Sequence, residues 1–293
     1  MFRDDLPVPR GVAPRMHERP KKTPRFSAAA RARLAATFSS GARIERRADR
    51  TGPWPLTGGQ ERLWLAEELL GPSALYHVPL AAHLVGPLDV RALEHALGAL
   101  LARHEVLRGC FTRSGEELTQ TITDGLGFRL ARHALQGGSG PENLARALEL
   151  ARAEFRRPFE LARERPLRAA LWTLAPDEHL LLLTLHHLVC DGITIGVLCE
   201  ELAEHYAAER AGRPLSLIEP EFQHGDYAIW QRTRNASEEV QSAVAQVAAR
   251  LADAPAPLDL PSDHARPARW TVRGGWQTRR VGGALVASLA ELA

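Results

Sequence analysis

The sequence predicts an α/β fold of the α+β, mixed-sheet kind. Three observations lead there. Amphipathic helical stretches are interspersed with strand pairs joined by short turns, an order that sets helices against a sheet. Two apolar runs, Leu167–Ala175 and His179–His187, flank a tight Ala-Pro-Asp-Glu turn and are apolar on both alternating faces, as strands covered on both sides are. A chain of 293 residues with 45% hydrophobic and 25% charged side chains matches a folded domain with a full core, not a disordered or collagen-like polymer.

The elements follow in order. Residues 1–26 are rich in Pro, Arg and Lys and lack periodicity, which predicts disorder. Ser27 is placed to cap a short helix over Ser27–Phe38, after which Ala42–Pro55 reads as extended chain. A helix is expected over Gln60–Leu70 and a strand over Tyr76–Gly86. Asp89 caps the next helix, whose Leu93, Ala96, Leu97, Leu100 and Leu101 share one face. Gly109–Thr123 reads as strand, turn and strand, and Phe128–Leu135 as another strand. An amphipathic helix over Asn143–Arg157 ends at Pro158, and the two apolar runs form a hairpin. A helix over Ile195–Ala211 is stopped by Gly212 and Pro214, and another covers residues 236–252. A proline-spaced segment, Ala254–Trp270, leads to a strand over Trp276–Val281 and an apolar helix over Ala284–Ala293.

Charge divides the chain unevenly. Residues 1–50 carry 13 Lys/Arg against 5 Asp/Glu, a net of +8, and the remainder carries 24 against 30, a net of −6. The basic balance therefore belongs to the tail, and no zinc-finger or RNA-binding signature accompanies it, so no nucleic-acid partner is expected. The longest apolar run, around Leu180–Leu185, is far too short to span a bilayer, so no membrane is expected either. The N-terminus lacks the apolar stretch of a signal peptide. Cys110, Cys190 and Cys199 form neither a disulfide framework nor a zinc pattern, and the expected location is the reducing cytoplasm.

Chemistry concentrates at His186-His187-Leu188-Val189-Cys190-Asp191-Gly192, where a buried strand hands over to a helix. Adjacent residues of a strand face opposite sides, so one histidine is free to face a cleft while the other packs inward. An imidazole titrating near neutrality is suited to take a proton from an amine or hydroxyl attacking an acyl group. Asp191 is placed to fix the turn through a charged hydrogen bond, Gly192 to permit unusual dihedrals and close backbone approach, and the helix N-terminus to hold an oxyanion. A pair of core histidines, or half a metal site, is the plainer alternative for the two imidazoles alone. Cys190, among apolar neighbours, reads as an inert small hydrophobe.

His186–Gly192 resembles the HHxxxDG signature of the condensation domains of nonribosomal peptide synthetases, which share their fold with chloramphenicol acetyltransferase; alone, it would also fit wax-ester synthases and polyketide-associated acyltransferases. Four further segments resemble that family's motifs in the right order. Leu56–Leu69 resembles S-x-A-Q-x-R-L-W-x-L, with Thr57 and Gly59 as departures. Arg103–Phe111 resembles R-H-E-x-L-R-T-x-F with Gly109 for Thr, and Gly225–Gln231 resembles Y-x-D-Y-A-x-W with His224 in the first Tyr position. Leu260–Gly275 resembles L-P-T-D-R-P-R-P. Arg156–Trp172 also resembles the stretch that precedes the histidine motif.

The resemblance implies two chloramphenicol acetyltransferase-like lobes in a V. It places a basic extension with a possible docking helix at 1–52, the first lobe at 53–214 and the start of an incomplete second lobe at 215–293. It implies amide-bond formation between thioesters delivered on phosphopantetheine arms by upstream and downstream carrier proteins and synthetase modules, with no bound cofactor and no metal. By carry-over, His187 is the main catalytic residue and His186, Asp191 and Gly192 support it, Asp191 through a salt bridge that in the family is usually made to an arginine this sequence is expected to lack. Arg103, Arg62 and Trp64 are structural supports, and Asp226, Tyr227 and Trp230 a packing corner. A stand-alone acyltransferase using CoA or one carrier, and a non-catalytic docking module, are the alternatives.

Overall fold

A computed structural model describes residues 43–50, 52–123, 128–255, 261, 263, 265, 277, 279 and 281–292. The helix expected over Ser27–Phe38 lies outside them. Of residues 276–281, positions 277, 279 and 281 are described, none of them in a strand.

Seven strands and their helices follow from local signals. β1 (Trp54–Pro55) precedes α1 (Gly58–Leu70). That helix starts two residues earlier than its apolar period implies, because Thr57 and Gln60 form a capping box. Thr57 thus supplies a capping hydroxyl at the position where the family motif has serine. β2 (His77–Val85) and α2 (Val90–Arg103) come next, with Asp89 accepting hydrogen bonds from the Arg91 and Ala92 amides. A 3₁₀ turn (Glu105–Arg108) leads into the hairpin β3 (Gly109–Ser114) and β4 (Glu117–Ile122). β5 (Ala131–Ala134), α3 (Gly140–Arg156), β6 (Leu167–Ala175), β7 (Glu178–His186) and α4 (Gly192–Ala211) complete the central part. Gly212 closes α4 at φ 58°, a left-handed backbone that glycine adopts without a Cβ penalty. α5 (His224–Asn235), not read from the sequence as a helix, is followed by α6 (Glu238–Leu251).

The strands form two sheets. One has the order β1-β4-β3, and the other β2-β7-β6-β5, in which only β5–β6 is parallel. The mixed sheet is therefore present as expected. Alternation explains its central hairpin: Leu181, Leu183 and Leu185 join a core with Leu97, Leu100, Phe111 and Leu198, while Leu180 and Leu182 join Ala147, Ala151 and Trp172. β7 is buried from His179 to His186 because α2 and α4 cover one face and α3 the other.

The compact unit holding both sheets ends at Ala254. α5 packs on β1 and the 3₁₀ turn. The segment placed with the tail also reaches this unit. Arg47 inserts a guanidinium that is 6% exposed between Glu105 and Asp226, lies over the Trp54 ring and approaches Gly225. Arg47 is thus a structural residue, not part of a solvated basic run. The helix α7 (Gly283–Leu292) belongs to a second unit and is apolar and exposed along its length.

Candidate functional site

β7 ends at His186, and the chain turns through His187–Asp191 into α4. The two histidines separate as alternation requires. His186 is fully buried, whereas His187 is exposed. The backbone anchors both: the His186 amide donates to Pro166 O (2.9 Å) and the His187 amide to Tyr76 O (2.7 Å).

His187 Nδ1 lies 2.7 Å from the carbonyl oxygen of Cys190. A carbonyl only accepts, so Nδ1 donates and carries the ring proton. Nε2 of the exposed ring is then left with its lone pair, the arrangement a proton acceptor needs. His186 has the opposite tautomer. Its Nδ1 accepts the Leu188 amide at 3.2 Å, so its proton is on Nε2, which lies 3.0 Å from Glu67 Oε2. That approach is off the N–H axis and is a charge contact, not a linear hydrogen bond. Around His186 stand the rings of Tyr76, His77 and Phe159 at 5.9–6.4 Å, with His77 directly opposite it across the β2–β7 pair. Burial lowers the pKa of His77.

Asp191 caps α4. Its Oδ1 accepts the Thr194 amide at 2.8 Å and the Thr194 hydroxyl at 2.7 Å, and the Thr194 hydroxyl accepts the Asp191 amide at 3.2 Å. Those bonds, led by the Thr194 amide, hold the carboxyl below the usual carboxylate range although partial burial opposes this. The charged hydrogen bond expected of Asp191 is therefore present. The arginine salt bridge carried over from the resemblance has no counterpart among the described residues. At this helix N-terminus the Asp191 carboxylate takes the Thr194 amide and places a negative charge there.

Gly192 also departs from expectation. Its φ is not positive, and a Cβ built there meets nothing within 4 Å. It leaves open space beside the motif and serves no strained turn. A cavity of about 320 Å³ lies next to it, lined by Val106, Leu107, Val189, Asp191, Ile193 and Val197 among others. Cys190 is buried, and burial pushes its thiol up to about 12, which makes it unreactive.

The supporting residues fall in different places. Arg103, 7% exposed, pairs with Glu201 of α4 at 3.2 Å and with Glu219 at 3.4 Å, and its guanidinium also reaches Ile218 O. His104 Nε2 meets the other oxygen of Glu201 at 2.5 Å, so α2 is tied to the helix that follows the motif. Trp64 packs on the main core, but Arg62 is exposed and makes no ion pair among the described residues. Asp226 and Trp230 are buried in the expected packing corner. Among the described residues no three His, Cys, Asp or Glu side chains cluster as a metal site would require, and no helix is long and apolar enough to cross a membrane.

From the sequence Gln60 reads as a brace of its own helix, and Glu67 draws no functional reading. In the structure both reach the motif: Gln60 Nε2 donates to Leu188 O at 3.1 Å, and Glu67 faces His186. Their spacing of seven residues, two helical turns, is the signal that could have found them.

Fold and site together describe an acyltransferase-like lobe with a strand-end histidine. The condensation domain model matches residues 51–293, and the chain belongs to that family. It is 38% identical over 238 residues to a linear gramicidin synthase of Brevibacillus parabrevis, covering 81% of this chain and 3% of that protein. It is 35% identical over 263 residues to phosphinothricin tripeptide synthetase PhsC of Streptomyces viridochromogenes, covering 90% of this chain and 24% of that one. The chain thus spans a small part of these relatives. Among solved structures, the X-domain in its complex with OxyB from teicoplanin biosynthesis is 34% identical with a TM-score of 0.64, over 78% of this chain and 50% of that one. The first condensation domain of the CDA synthetase is 26% identical with a TM-score of 0.59, over 72% of this chain and 53% of that one. The chain therefore matches about half the length of these solved structures.

Proposed function

We propose that this chain contributes the catalytic histidine of a peptide-bond-forming condensation domain in a nonribosomal peptide synthetase. The donor is an acyl or peptidyl thioester and the acceptor an aminoacyl thioester, each on the phosphopantetheine arm of a carrier protein. The acceptor amine attacks the donor carbonyl, the new C–N bond forms, and the C–S bond breaks. His187 Nε2 takes the proton released by the amine and returns it to the departing thiolate. The observation that carries this reading is the 2.7 Å bond from His187 Nδ1 to Cys190 O, which leaves Nε2 free on an exposed ring. The curated relatives named above, peptide synthases by name, support the substrate class.

Presenting the full-length protein with donor thioesters on a carrier protein or on CoA tests the reading. Dipeptidyl product formed only when both substrates are carrier-bound is the expected result. Equal use of CoA donors points instead to a stand-alone acyltransferase.

One observation favours a second reading. The X-domain, at 34% identity, is seen in a complex with another protein, OxyB, which suits a docking module. Product formation unchanged by His187→Ala, with partner binding intact, would support that reading.

A further inference from the structure

We propose that Glu67 and Gln60 of α1 are positioning residues that fix the tautomer of His187. The inference rests on the reading of His187 given above and names the part of the fold that controls it.

Hydrogen bonds hold the loop His186–Asp191 at several of its backbone atoms. The Val189 amide donates to His186 O at 3.0 Å, and the Leu188 amide to His186 Nδ1 at 3.2 Å. That second bond requires the His186 proton on Nε2, and Glu67 Oε2, 3.0 Å from Nε2, stabilises this form by its charge. Gln60 holds the next peptide. Its Nε2 donates to Leu188 O at 3.1 Å, while its Oε1 accepts the Thr57 amide at 3.0 Å, which sets the orientation of the amide group. Both Gln60 and the Leu188 peptide are buried, so neither has water as a substitute partner. The loop then presents the Cys190 carbonyl to His187 Nδ1 at 2.7 Å.

The two α1 residues therefore touch no part of the reacting face: Gln60 holds the Leu188 peptide, Glu67 faces the His186 ring that accepts the Leu188 amide, and the loop so held aims the Cys190 carbonyl. A helix that served packing alone would gain more from apolar side chains at these inward positions. Release of either contact frees the loop to rotate the carbonyl away, and the His187 proton redistributes to Nε2, where it blocks the base.

Long-range proton–nitrogen correlation spectra of 15N-histidine-labelled protein report the tautomer of each ring directly, at about pH 8.5, above the usual imidazole range. In the wild-type chain His187 is expected in the Nδ1-protonated form. Gln60→Leu and Glu67→Leu are each expected to lower its Nδ1–H to Nε2–H ratio about fivefold, the equivalent of one hydrogen bond worth about 1 kcal/mol. Glu67→Asp, which keeps the carboxylate charge facing His186, should restore part of the ratio, and Glu67→Gln, which removes that charge, should not. If a leucine variant fails to fold, Gln60→Asn, which withdraws the amide by one methylene, reads the same contact. An unchanged His187 tautomer in the folded variants overturns the proposal. Undiminished acyl transfer by His187→Ala overturns the functional reading instead, and the tautomer ratios still decide this one.

Discussion

Replacing Asp191 separates two roles for the motif aspartate. In the structure it is the N-cap of α4, with two hydrogen bonds of 2.7 and 2.8 Å to Thr194. Asp191→Ala removes the oxygen that accepts both bonds and the negative charge at the positive end of the helix. Loss of a cap costs about 1 kcal/mol and loss of the charge–dipole term about 0.3–1 kcal/mol, so the total expected is about 1–2 kcal/mol. Asn caps as well as Asp, so Asp191→Asn should forfeit only the charge term, about 0.5 kcal/mol. Urea unfolding followed by far-UV circular dichroism measures both. The pH dependence adds a second check. The folded carboxyl titrates below its unfolded range, so its stabilisation is present above about pH 4 and is lost as pH falls through the lowered value. The gap between wild type and Asp191→Ala should close in the same window. If Asp191→Asn is as damaging as Asp191→Ala, the charge and not the cap carries the role, and the argument fails.

Three further outcomes are expected. Asp226→Ala leaves the enclosed Arg47 guanidinium with Glu105 alone and strands two amides, of Arg47 and Gln223, and should cost about 2–4 kcal/mol in urea unfolding; Gly225→Ala should disturb the same pair, since its Cβ would lie 2.5 Å from Arg47 Nη1. His224 is lowered to about 4, first by burial and then by the charge of Arg47. The unfolded chain therefore binds its proton more readily, so stability should fall by about 2–3 kcal/mol as pH drops from about 6.5 to 4, and His224→Gln should flatten that slope. Cys190, its thiol raised to about 12, should resist iodoacetamide at neutral pH until the protein unfolds, which mass spectrometry of partly labelled chains would show.

Local signals carried most of the fold. The β6–β7 hairpin was legible because alternation and a tight turn act within a few residues, and Asp89 marked its helix through an ordinary cap. Helix starts were less so: α4 begins three residues before its apolar period, at Gly192, because Asp191 and Thr194 satisfy the first amides. The pairing of Arg47 with Asp226 spans 179 positions, and a basic run reads as solvated until its partner is brought to it. The motif identified His187, Asp191 and Gly192 as neighbours, but not their roles. A dihedral is invisible in a residue type, so Gly192 looked like a turn residue when it leaves open space. Glu67 drew no reading from the sequence, and only tertiary packing turned it toward His186.

The central claim is that His187 moves the proton in the condensation step. Single-turnover transfer from donor carrier to acceptor carrier, followed by intact-protein mass spectrometry on the full-length protein, measures that step directly. His187→Ala should slow it about a hundred- to ten-thousand-fold, the range of general base catalysis, with carrier binding unchanged. Transfer by His187→Ala at the wild-type rate would contradict the account.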